Sequence, residues 1–343
     1  MRAVTFVEPG RVEVVERPEP EPLAPDDAVV RVEASGVCGS DLHIYHGRVQ
    51  VEEGFTLGHE YVGTVVAKGD AVSLDVGDRV LGTFHTACGQ CFFCRRGVFV
   101  KCDEARVFGH GSVLGSLQGT QAEQALVPRA NLTLRRVPDG LSDGAALFAG
   151  DVMGTGYHAV VAAGLSAGDT VAVVGLGPVG LCAVMAARAG GAAHVIAVDT
   201  VEDRLEIARA MGAEAVHATE ENPRKAVAAA TEGRGVDIAV DAVGHADALE
   251  TCCKLARKAG TVSVIGVYAE RTELHMGVIW LKGLRLVGGQ ANVMAHLDSV
   301  LTLLASGALD VDPLVSREMN LDDAAEAYAA YDRREALKIV LRA

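Results

Sequence analysis

The sequence predicts an α/β protein of two domains, one β-rich and one built on a doubly wound parallel sheet of dinucleotide-binding type. Three observations carry that expectation. Residues 171–180 read VAVVGLGPVG, a β-branched run into G-x-G-x-x-G, and an apolar helical stretch follows to about 189. Strand and helix patterns then alternate as far as residue 289, and the chain before residue 151 consists of short runs such as VRVEASGV, YVGTVVAKG and GDRVLG, separated by Gly, Pro and Asp. With 343 residues, 50% of them hydrophobic, the chain can bury two cores.

In the second domain each glycine has its own task. Gly175 permits the tight turn, Gly177 lets the backbone approach a pyrophosphate, and Gly180 lets the helix pack on the strand. Phosphates favour the helix N-terminus, where N–H groups are unpaired. VIAVD at 195–199 ends in Asp199, whose carboxylate can accept both adenosine ribose hydroxyls. A 2'-phosphate beside it costs roughly 4 kcal/mol per pair of unit charges at an effective dielectric of about 20, so NAD is expected over NADP. The alternation continues with helix VEDRLEIARAMG, strand AVHA, VDIAVDAVG at 236–244, GTVSVIGV at 260–267 and LRLVGG at 284–289, six strands in all. Thr200, three residues before Asp203, reads as the cap of the second helix.

The net charge of −14 opposes binding to nucleic acid or to anionic membranes. The first residues, MRAVTFVEPG, have no secretory pattern, which points to a cytoplasmic protein. In a reducing compartment clustered cysteines hold metal, and CGQCFFCRRGVFVKC at 88–102 brings together Cys88, Cys91, Cys94 and Cys102. Four thiolates suit a tetrahedral zinc. An iron–sulfur cluster of ferredoxin type calls for a shorter last step followed by Pro, whereas Asp103 follows Cys102. Such a site has no open position and is structural. Arg95, Arg96 and Lys101 are expected to offset its negative charge.

Upstream, GVCGSDLH at 36–43 and GHEY at 58–61 contribute Cys38, His59 and Glu60, each a competent zinc ligand. Singly these are a buried Cys, a core His and a surface Glu. Together with the four-cysteine loop they make the chain from Cys38 to Cys102 resemble the zinc-dependent medium-chain alcohol dehydrogenase superfamily. The resemblance implies a GroES-like β-rich catalytic domain, residues 1–151 and 288–343, around a Rossmann coenzyme domain at 152–287. It implies further that Asp151, in AGDVMGTGYHA, completes the catalytic zinc site with Cys38 and His59, with Glu60 bound or nearby. On the same grounds Asp41 hydrogen-bonds the His59 imidazole, Ser40 and His43 pass the alcohol proton to the surface, and Thr155, Arg204 and Lys338 contact the coenzyme, Lys338 at its pyrophosphate. Asp151 resembles the secondary-alcohol and formaldehyde-type branches, and the four-cysteine loop departs from the first of these.

The implied protein is an NAD-dependent oxidoreductase with two zinc ions per chain, one catalytic and one structural. It acts on a small-molecule alcohol or carbonyl substrate of secondary alcohol, diol or polyol type and forms a homodimer or homotetramer. Two alternatives remain open: a zinc-free quinone-reductase-like NAD(P)H reductase of the same fold, and a non-catalytic zinc-ribbon protein that senses nucleotide. Cys182, Cys252 and Cys253 are expected in the packing, Trp280 at a domain or subunit contact, and His110, His158 and His275 are not placed by the sequence.

Overall fold

A computed structural model describes residues 1–268 and 270–343. The chain divides into two compact units, Met1–Asp151 with Asn292–Ala343, and Val152–Ala291. The chain therefore returns to the first unit at Asn292 rather than at residue 288. Gly288 still pairs with Val264, and the Gly289 N–H donates to the Val264 carbonyl at 3.2 Å, so these residues finish the second unit's sheet.

The first unit is built on a twisted sheet whose neighbours run Arg317–Asn320, Ile339–Arg342, Ala28–Val37, Tyr61–Lys68, Arg79–Gly82 and Leu134–Arg136, with Gln124–Val127 also on Ala28–Val37. The strands alternate β-branched residues with small ones, and one apolar face packs Val30, Val32, Tyr61, Val65, Val80 and Phe108 together. Two registers matter for function. Ser35 pairs with Tyr61 and Val37 with Ile339, which brings residues 36–41, 58–60 and 338 to one end of the sheet. Gly36 is required there: a Cβ would lie 3.0 Å from Glu60 Cδ and 3.1 Å from Lys338 Cε.

The second unit is a parallel sheet in the order Glu214–His217, His194–Asp199, Thr170–Val174, Val236–Asp241, Ala256–Val264 and Arg285–Gly288. In chain order this is 3-2-1-4-5-6, the dinucleotide-binding arrangement, with its switch point between Thr170–Val174 and Val236–Asp241. The central strands are buried on both faces, which is why they read as unbroken apolar runs. The strand expected at 260 begins at Ala256. Cys182 and Cys252 are fully buried and Cys253 nearly so, as packing residues. Trp280, in contrast, is 82% exposed, on helix Met276–Lys282 beside the edge strand Arg285–Gly288. Among the described residues no helix is long and apolar enough to cross a membrane.

Candidate active site

Four donor atoms from Cys38, His59, Glu60 and Asp151 lie within 4.8 Å of one another in the first unit. Cys38 follows the strand Ala28–Val37 and caps the short helix Gly39–Tyr45, whose first turn returns Asp41 to accept the Cys38 N–H at 2.9 Å. Asp151 follows helix Asp143–Ala149, and the chain before it is pinned where the Phe84 N–H donates to the Gly150 carbonyl at 3.3 Å.

His59 is the hub. Its Nδ1 is 3.2 Å from Asp41 Oδ1, and its Nε2 is 3.2 Å from Asp151 Oδ2 and 3.2 Å from Ser40 Oγ. Cys38 Sγ is 3.6 Å from the same Asp151 oxygen. Asp41 is in turn held by Gln121, whose Nε2 donates to Asp41 Oδ2 at 3.4 Å and to the Gly36 carbonyl at 2.9 Å, while its Oε1 accepts the Tyr328 hydroxyl at 2.7 Å. Gln121 and Tyr328 are buried parts of the site that no motif or spacing announced. His110, which the sequence leaves unplaced, is buried there too, its ring edge-on to His59 at 5.2 Å between centroids.

The electrostatics describe a group of donors in need of a cation. Burial pushes the Cys38 thiol up, and the charges of Asp151 and Glu60 push it further. Burial likewise raises Glu60 against the pull of Lys338. Burial works against ionisation of Asp41 and Asp151 too, yet His59 holds both below the usual carboxylate range. His59 itself, which burial alone pushes down, stands well above its ordinary value through Asp41 and its bonds to Asp151 and Cys38. One thiol, one imidazole and two carboxylates fit a zinc ion in ligand type and in charge.

Lys338 has a partner that its sequence position does not show. It is fully buried, and its Nζ donates to Glu60 Oε1 at 2.5 Å in an ion pair that also includes Glu60 Oε2. A buried ammonium needs a counter-charge, and the Glu60 carboxylate supplies one. The proton path is also only partly assembled. Ser40 touches His59, while His43 lies half-buried on the same helix with no partner for its Nδ1 among the described residues, and burial and Arg48 lower its pKa.

The second cluster gathers Cys88, Cys91, Cys94 and Cys102, again within 4.8 Å. Backbone N–H groups turn toward the sulfurs: Cys88 N–H to Cys102 Sγ at 3.2 Å, Cys91 N–H to Cys88 Sγ at 3.4 Å, and Cys94 N–H to Cys91 Sγ at 3.5 Å. Such donors favour thiolate, and backbone bonds, first that from Cys94, push Cys91 down to about 6. This donor set also fits zinc.

In the second unit Gly175 has φ +89°, and a Cβ there would strike the Val243 side chain. At Gly180 it would strike the Gly175 carbonyl, whereas Gly177 faces open space at the start of helix Pro178–Ala189. Asp199 accepts the N–H groups of Leu176 at 2.5 Å, Thr200 at 2.6 Å and Val201 at 3.0 Å, with Arg204 Nη1 3.8 Å away. Thr200 is not the cap of the next helix: that helix is Glu202–Ala210, its cap residue is Val201, and Asp199 receives the loop's N–H groups instead. Thr155 is half-buried on helix Val152–Ala163.

Residues 24–139 match the family model for the alcohol dehydrogenase GroES-like domain, and residues 178–306 that for zinc-binding dehydrogenase. The chain belongs to the zinc-dependent medium-chain alcohol dehydrogenase superfamily. A probable zinc-binding alcohol dehydrogenase of Mycobacterium tuberculosis is 39% identical over 100% of this chain and 88% of its own length. An alcohol dehydrogenase of Cupriavidus necator is 35% identical, covering 100% and 98%. Among solved structures, the alcohol dehydrogenase TADH of Thermus sp. ATN1 superposes with a TM-score of 0.97 at 43% identity, covering 100% of this chain and 99% of that one. A putative zinc-binding dehydrogenase of Sinorhizobium meliloti 1021, bound to NADP, follows this chain with a TM-score of 0.88 at 31% identity, covering 100% and 99%. As a member of this superfamily, the chain has the GroES-like and Rossmann-like folds of an oxidoreductase.

Proposed function

We propose that this alcohol dehydrogenase homologue oxidises an alcohol of secondary alcohol, diol or polyol type reversibly, with NAD as coenzyme and zinc held by Cys38, His59 and Asp151. The observation that carries the reading is the convergence of these donors on one buried point, with His59 oriented from behind by Asp41. When bound, zinc polarises the alcohol oxygen as a Lewis acid and the nicotinamide accepts the hydride.

The chain's own residues do the rest. Asp41, fixed by Gln121 and the Cys38 N–H, keeps the proton of His59 on Nδ1 and leaves Nε2 as the donor nitrogen. Ser40 Oγ lies 3.2 Å from that nitrogen, so it would take the proton of an alcohol bound there, and His43 is the next group on the helix to receive it. Glu60 is paired with Lys338, and with Cys38, His59 and Asp151 as the ligands a fourth position would remain for substrate. Gly175, Gly177 and Gly180 form the phosphate turn, and Asp199, an acid at the end of the second strand, supports NAD over NADP because a 2'-phosphate beside its charge would be repelled. Cys88, Cys91, Cys94 and Cys102 hold a second, structural zinc. The exposed Trp280 and the unpaired edge of Arg285–Gly288 support assembly into a homodimer or homotetramer.

The decisive experiment is a panel of secondary alcohols, diols and polyols assayed with NAD and NADP, alongside elemental analysis. Two zinc ions per chain and a higher kcat/KM with NAD are expected. Undiminished turnover by metal-free protein, or a preference for NADP, overturns the reading.

A further inference from the structure

The backbone around Gln121 runs against the segment that carries His59. The Thr120 N–H donates to the Gly58 carbonyl at 3.0 Å, the Gln121 N–H to the Leu57 carbonyl at 2.9 Å, and Thr120 Oγ1 to the Glu60 carbonyl at 3.4 Å. Gly58 stands at φ +90°, and a Cβ there would strike the Gln121 side chain and lie 2.8 Å from the Gln121 nitrogen. Only glycine fits at this position. Gln121 is thus packed against the residue from which the His59 imidazole sets out.

The same side chain reaches His59 from the other end. Gln121 is fully buried; its Nε2 serves the Gly36 carbonyl and Asp41 Oδ2, and its Oε1 accepts the Tyr328 hydroxyl. An amide has donors on one branch and an acceptor on the other, so it can sit in two orientations. Turned over, Oε1 would face the Gly36 carbonyl and the Asp41 carboxylate, an acceptor against acceptors. Tyr328 favours the observed orientation as well. Burial, and then the charge of Asp41, hold its hydroxyl well above the ordinary tyrosine pKa, so it stays a proton donor. Tyr328 is itself fully buried on helix Ala324–Asp332, its ring 5.6 Å from that of Tyr45, the last residue of the helix that carries Asp41.

We propose that Gln121, locked in one orientation by the Tyr328 hydroxyl, is a positioning residue for the Cys38–His59–Asp151 site, holding the His59 backbone through Gly58 and its imidazole through Asp41. The inference rests on the reading of that cluster as a metal site. A hydroxyl on the last helix of the chain then acts on His59 through Gln121 and Asp41 in sequence, each step a direct contact. Without the hydroxyl, Oε1 is left unpaired in the interior and the amide is free to turn. Asp41 loses a fixed donor, and the imidazole it aims is held less firmly. The loss appears as weaker metal binding, because the outer partner of a ligating imidazole sets its orientation and donor strength.

The test equilibrates the zinc-loaded full chain against a competing chelator, and reads the visible absorption of Co²⁺-exchanged protein with the Cys38→Ser spectrum subtracted to isolate the ion at this site. Tyr328→Phe, which keeps the ring, is expected to weaken metal binding by about three- to tenfold, the scale of one buried hydrogen bond, and to shift the Co²⁺ bands. Gln121→Met should weaken it by about tenfold or more. Adding Tyr328→Phe to Gln121→Met should change the affinity by less than about twofold, since the hydroxyl acts only through the amide. Tyr45→Leu loosens the packing of Tyr328 and cuts none of these hydrogen bonds, so its Co²⁺ spectrum should match the parent's. If Gln121→Met does not fold, Asp41→Asn replaces it in the pairing with Tyr328→Phe. Parent-like affinity and spectrum in Tyr328→Phe, losses that multiply in the double variant, or an equal band shift in Tyr45→Leu overturn the proposal. A Cys38→Ser protein that holds both its ions as tightly as the parent overturns instead the metal reading on which it rests.

Discussion

The first unit contains two four-donor clusters of opposite construction. The cysteine loop draws all its ligands from one stretch of 88–102, and its own backbone N–H groups orient the sulfurs. The Cys38 cluster draws its donors from segments far apart in the chain and is oriented by buried side chains, Asp41, Gln121 and Lys338. The first can form wherever its loop can fold; the second exists only if the whole unit does. The lesson is that the same chemical demand, four donors around a cation, can be met by local spacing or by global register.

The contrast breaks most visibly in paired cysteine variants. Cys38→Ser is expected to reduce alcohol oxidation to background with one zinc retained and the melting temperature little changed. Cys94→Ser should lower the melting temperature by several degrees and retain the catalytic metal. Equal effects of the two on turnover and melting would erase the distinction. Next in size is Lys338→Met, which strands the Glu60 charge in the interior and should cost about 3–5 kcal/mol in denaturant unfolding, with much of the loss recovered in the double variant Glu60→Gln/Lys338→Met. Full additivity of the two single effects would show that the pair is not coupled. Asp41→Asn should then weaken metal retention or turnover by about 10–100-fold without unfolding the protein. An unchanged zinc content and rate would remove Asp41 from the orienting role.

The smallest effect concerns His85, which lies in the segment leading to Cys88. Burial, outweighing its bond to the Thr86 carbonyl, pushes its pKa down to about 4. Its folded value is below the unfolded one of about 6.5, so the unfolded chain binds more protons between these values. Stability from this group is therefore complete above about pH 6.5 and is lost as pH falls toward about 4. His85→Gln should flatten the stability profile across that window; a profile with the same slope as the parent's would contradict it.

What could be read from sequence follows the same division. The cysteine spacing and the glycine turn are local, so residues 88–102 and 171–180 carried their own meaning. The strands of the second unit were legible because burial on both faces leaves unbroken apolar runs. Cys38, His59 and Asp151 acquired meaning only through resemblance, since no periodicity says that Val37 lies beside Ile339. Gln121, Tyr328 and the pairing of Lys338 with Glu60 stayed hidden for that reason: a buried hydrogen bond between distant segments leaves no pattern along the chain.

The register of Ile339 on Val37 has a consequence for biogenesis. The whole second unit, Val152–Ala291, is synthesised after the last donor, Asp151, and before the strand that installs Lys338. During translation the cysteine loop is ready to take up its ion long before the other centre has been walled in. Metal loading of a nascent chain should accordingly come in two waves separated by the time the ribosome needs to make an entire domain.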